Sequence, residues 1–125
     1  DIDHGIVPAD PLAAGDVVLA RKDAPTSYHL AATLDDADMG VTLVLRGNDL
    51  RAATDIHRLL QALFHLPTPT YRHHPLLVGA DGKRLAKRDG GLQLAQLRDA
   101  GVDPAQLRAD LRAGMFPLGI RPGDP

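Results

Sequence analysis

Two apolar runs constrain this chain more than anything else in it: VTLVL at 41–45 and YRHHPLLV at 71–78. Between them Leu50, Ala53, Ile56, Leu60 and Leu63 recur at helical spacing, and LPTP closes the segment because proline cannot continue a helix. VTLVL does not alternate, which is the pattern of a strand covered on both faces of a parallel sheet. Strand, helix, strand in this order predicts a βαβ unit with a right-handed crossover. The fold class expected is α/β, a Rossmann-like parallel sheet followed by short helices.

Other elements are read around that unit. DVVLA at 16–20 is short, apolar and valine-rich, and predicts a strand. PTSYHLAATLDDADMG predicts a helix capped by Thr26 or Ser27, with Tyr28, Ala31, Leu34 and Ala37 or Met39 on one stripe and Gly40 as its stop. Asp35, Asp36 and Asp38 fall in its last turns, where the helix dipole disfavours negative charge. Asn48 suits the N-cap of the central helix and Asp49 its first turn. Two short helices are expected near 92–100 and 104–113. Residues 1–15, rich in Pro, Gly and Asp, read as a connector, and 114–125 as an irregular tail.

Composition removes several function classes. The 125 residues carry 14 Lys+Arg against 16 Asp+Glu, a formal charge of −2, so a broad nucleic-acid-gripping face is not expected of this segment. No run of about 18 apolar residues exists, so no membrane partner is expected. With no cysteine there are no thiolate metal ligands, and a cytoplasmic location is compatible with that. His73 and His74 are adjacent on a strand and point to opposite faces; His29, His57 and His65 lack ligand spacing. No metal site is expected, and the histidines read as structural or exposed. Ser27 is the only serine, at a helix start, which argues against a nucleophilic triad.

Two segments at strand ends do invite chemistry, since α/β sheets place ligands beyond the carboxyl ends of their strands. Arg46 follows directly on VTLVL, and its planar fork suits a carboxylate, although pairing with Asp49 or reaching solvent would serve equally. The stretch ADGKRLAKRDGG at 80–91 packs Lys83, Arg84, Lys87 and Arg88 between glycines. Those cations could close over a triphosphate, and an ordinary solvated turn would have the same composition.

GDVVLARKDAPTSYHLAATLDDADMGVTLVLRGNDL, followed by LPTPTYRHHPLLVGADGKRLAKRDG, resembles the class I glutamyl-tRNA synthetase-like family, and within it the short glutamyl-Q tRNA(Asp) synthetases. The resemblance runs from about residue 15 to about residue 111. It implies that 16–113 is the second, C-terminal half of a class I catalytic domain. It further implies activation of glutamate by ATP with Mg2+, and transfer to the queuosine base at the wobble position of tRNA(Asp). By the same resemblance Tyr28 and Arg46 bind glutamate. Arg84, Leu85, Ala86, Lys87 and Arg88 stand on the signature loop, with Lys87 as its ATP-contacting lysine. Arg84 replaces that loop's first lysine and Ala86 its serine. The family's first-half residues and its zinc site are not in this segment, so the piece alone is expected to be inactive. A full glutamyl-tRNA synthetase and a non-catalytic RNA- or protein-binding piece are the alternatives.

Overall fold

The computed structural model describes residues 1–23, 25–85 and 93–123. The chain forms two compact units, Asp1–His74 and Pro75–Pro125.

In the first unit, α1 spans Tyr28–Asp38 and begins where expected: Ser27 is extended, and its hydroxyl accepts the Leu30 N–H at 3.4 Å. It ends in a Schellman motif, with Val41 N–H on Asp36 O at 2.8 Å, Gly40 N–H on Ala37 O at 3.1 Å, and Gly40 at φ 66°. Strand β1 covers Leu43–Gly47, two residues later than expected, and therefore includes Arg46 within the strand. A single 3₁₀ turn, Asn48–Leu50, intervenes before α2 at Ala53–Leu63. Asn48 is thus not the cap of α2: its carbonyl accepts the Arg51 N–H of that turn at 3.1 Å. Strand β2, Thr70–His74, pairs in parallel with β1, Arg46 opposite His73 and Val44 opposite Tyr71. The βαβ unit and its parallel sheet are as the sequence predicted.

Three further expectations for this unit are corrected. Residues 16–20 form no strand; Leu19 O accepts from Ser27 N–H at 2.8 Å, and a strand requires a neighbouring edge. VTLVL is not covered on both faces: Leu43 and Leu45 are 47% and 61% exposed, while Arg46 on the helix-facing side is 9% exposed. The inward helix stripes are also displaced from those expected. Tyr28, Leu34 and Met39 of the first helical segment are exposed, and Leu63 of α2 is too; Leu60 is buried as expected, and Thr33, His57 and Gln61 are buried beside it.

The second unit contains β3 at Leu77–Val78, α3 at Leu94–Asp99, α4 at Pro104–Arg112 and β4 at Arg121–Pro122. The single strand expected over 71–78 is therefore two, broken at Pro75, which has no N–H to donate. The tail is not irregular throughout: β4 pairs antiparallel with β3, Leu77 opposite Pro122. Helix α4 starts at the Asp103 cap followed by Pro104 at its first position. Among the described residues no helix is long and apolar enough to cross a membrane.

Candidate functional site

The core of the first unit is polar, and Arg46 is at its centre. Its position in β1 turns the side chain towards α2, where hydrogen bonds rather than solvent meet the guanidinium. Nη2 donates to Thr54 Oγ1 at 2.6 Å, Nε to His73 Nε2 at 3.2 Å, and Nη1 lies 3.3 Å from His57 Nδ1. The guanidinium carbon stands 5.4 Å above the Tyr71 ring centroid, a cation–π contact. Tyr71 in turn accepts from Gln61 Nε2 at 2.8 Å, and Gln61 Oε1 accepts from Arg58 at 2.6 Å. No partner in this set is a carboxylate.

The direction of each bond follows from arginine, which can only donate. His57 Nδ1 must accept from Nη1, so the His57 proton sits on Nε2, and that N–H points to His29 Nδ1 at 3.2 Å. His73 Nε2 accepts from Arg46 and from the Thr54 hydroxyl, 3.3 Å away, so its Nδ1–H donates to Asp1 Oδ2 at 3.1 Å. Burial, then Arg46 and His29, lower the His57 pKa from 6.5 to about 4. His73 is lowered by burial, then by Arg46 and Arg51; these outweigh the Asp1 carboxylate, which favours the cation. Burial raises the Tyr71 pKa, partly opposed by its Gln61 hydrogen bond.

Tyr28 stands at the edge of the same cluster. Its ring is 5.7 Å from that of His57 and 5.6 Å from that of His29, and it is 52% exposed. Tyr28 and Arg46 are thus both neighbours of one residue, His57. The sequence alone marks His57 only as a structural or exposed histidine. It is indeed buried, but its link to both candidate residues has no signature in the spacing, since α1, β1 and α2 meet only in the fold.

Arg84 and Leu85 belong to the second unit. Arg84 bridges Val78 antiparallel, Leu85 N–H reaches Leu77 O at 3.1 Å, and Gly79 N–H reaches Lys83 O at 2.9 Å. The start of the basic stretch is therefore the return arm of a hairpin on β3, turned at Gly82 with φ 76°. Ala86, Lys87 and Arg88 lie outside the described residues.

A parallel βαβ unit flanked by short helices defines an α/β protein. Residues 1–122 match the family model of class I tRNA synthetases (E and Q), catalytic domain, and the chain belongs to that family. It is 55% identical over 96 residues to the glutamyl-Q tRNA(Asp) synthetase of Rhodobacter capsulatus, covering 77% of this chain and 34% of that protein. The Nocardia farcinica glutamyl-Q tRNA(Asp) synthetase is 46% identical over 110 residues, covering 88% of this chain and 34% of that protein. The crystal structure of glutamate-tRNA synthetase from Elizabethkingia anophelis superposes with a TM-score of 0.54 at 36% identity, over 60% of this chain and 15% of that one. The chain thus spans about a third of the length of these curated relatives.

Proposed function

We propose that this chain is the second half of the catalytic domain of a glutamate-activating ligase, and that Tyr28 and Arg46 hold the amino acid. One observation carries the reading. Arg46 is a nearly buried cation whose three nitrogens bond to two neutral imidazoles and a hydroxyl. Burying a charge without an opposite one is costly, so the site favours a carboxylate ligand. Two of its five N–H groups remain beyond those three bonds, enough for a carboxylate fork. Tyr28, exposed beside His57, offers a hydroxyl from α1 to the same ligand. A solved relative, the glutamate tRNA ligase of Elizabethkingia meningosepticum, is described as in complex with its amino acid, at 36% identity and a TM-score of 0.54.

In the reaction proposed, an α-carboxylate oxygen of glutamate attacks the α-phosphorus of ATP. The bond to the β-phosphate oxygen breaks, leaving glutamyl-adenylate and pyrophosphate. Arg84, Lys87 and Arg88 would stabilise the charge that develops on the leaving group, a contribution greater in the transition state than before it. A hydroxyl of the queuosine base at the wobble position of tRNA(Asp) then attacks the acyl carbon and expels AMP. The names of the relatives support this acceptor.

Glutamate-dependent ATP–pyrophosphate exchange by the complete enzyme tests the first step. Arg46→Ala costs about 2–5 kcal/mol of glutamate binding, roughly a 30-fold or larger rise in the glutamate KM. An unchanged glutamate KM would overturn the role of Arg46. A second acceptor is favoured by one specific finding: the "Glutamate--tRNA ligase 2" of Cereibacter sphaeroides is 44% identical over 105 residues. Charging queuosine-bearing tRNA(Asp) against tRNA(Glu) separates the two, and exclusive charging of tRNA(Glu) refutes the first.

A further inference from the structure

We propose that His57 is a positioning residue for Arg46: its Nδ1 accepts one guanidinium N–H and fixes the direction of the fork, while its ring seats Tyr28. The proposal rests on the reading of Arg46 as the carboxylate ligand, and deepens it by naming what aims it.

Geometry supports this at each link. His57 is 2% exposed, so no solvent competes for Nδ1. Only the neutral Nε2–H form can take the Arg46 bond at 3.3 Å and give the His29 bond at 3.2 Å, which makes His57 a one-way connector from β1 through α2 to α1. Thr54 lies one turn earlier on α2 and holds Nη2 at 2.6 Å, and His73 on β2 holds Nε. Two elements, α2 and β2, therefore clamp three nitrogens, and a long side chain that would otherwise sample many rotamers is restrained. Order created before the ligand arrives is order the ligand does not have to create, so binding is tighter. The Tyr28 ring also packs on this imidazole, 5.7 Å between centroids, so one residue borders both proposed substrate contacts.

The test uses the complete enzyme that carries this segment, with KM for glutamate and for ATP measured separately in the exchange assay. The variants are Arg46→Ala, His57→Leu, His57→Asn and His57→Gln. Asparagine places an amide oxygen near the position of Nδ1 and can accept from Arg46; glutamine carries its amide one bond further. Losing this contact in His57→Leu is expected to raise the glutamate KM by about tenfold with little change in the ATP KM. His57→Asn should recover most of that loss and His57→Gln should not. If Arg46→Ala leaves glutamate kinetics unchanged, the carboxylate-ligand reading fails and the positioning role with it. If Arg46→Ala is impaired but His57→Leu is not, positioning alone is overturned. Equal losses for Asn and Gln, or losses in both KM values alike, also overturn it. Should His57→Leu not fold, the contrast between Asn and Gln decides.

Discussion

The ionisation of His57 links its site to stability. Its pKa is 6.5 in an unfolded chain and about 4 in the fold, lowered first by burial, then by Arg46 and His29. Between those values the unfolded state binds the extra proton, so stability is fully present above about 6.5. It is then lost as pH falls towards 4. His73, also lowered, adds in the same direction. The urea midpoint is therefore expected to fall as pH is taken from 7 to 4. His57→Asn, which does not titrate, should flatten that dependence, and an equal slope in wild type and variant would contradict the assignment. Tyr71→Phe tests the other buried arm. It strands Gln61 Nε2, whose residue is 3% exposed, at a cost of about 1–3 kcal/mol, measurable by urea unfolding. None of these partners was legible in the residue order. Arg46 was marked by its position after an apolar run, but a pair such as Arg46 and His73 is 27 residues apart and meets through strand pairing alone.

At the scale of elements, helix ends show how local chemistry reads directly from sequence. Ser27 and Gly40 bound α1 as their side chains dictate, one accepting an N–H and the other adopting positive φ without a Cβ clash. Helix α2 closes with the same Schellman geometry, Leu66 N–H on Gln61 O at 2.8 Å and His65 N–H on Ala62 O at 3.3 Å, yet the residue in the left-handed conformation is His65 at φ 54°. His65→Gly relieves that strain and should raise stability by about 1 kcal/mol, read as a higher urea midpoint. A lower midpoint would show that the His65 side chain contributes more than its backbone conformation costs. Helix stripes were read less well, because periodicity counts apolar residues. The inward faces here carry Thr33, His57 and Gln61, which become interior by finding partners rather than by being oily. For the same reason Leu63, a good match to the pattern, lies outside at 64% exposure.

Across the whole molecule, the balance of buried groups sets what this piece can do alone. The buried apolar side chains among the described residues are Leu60, Tyr71 and Leu97, while Leu43 and Leu45 leave one sheet face apolar and open. So small an apolar interior cannot offset much chain entropy, and stability below about 5 kcal/mol is expected. Urea unfolding followed by far-UV circular dichroism checks this, and a larger value would contradict it. Isolated, the 125 residues should also fail to support glutamate-dependent ATP–pyrophosphate exchange; robust exchange would refute the proposal that further residues complete the site.

What the sequence by itself determined is the parallel βαβ unit and the helices around it, because apolar runs, capping residues and prolines act over a few neighbours, and, by resemblance, the family. What only the tertiary structure decided is the cluster that joins Tyr28, His29, His57, Arg46 and His73. Its members come from two helices and two strands, and the Arg46 hydrogen bonds need the face of β1 that turns towards α2.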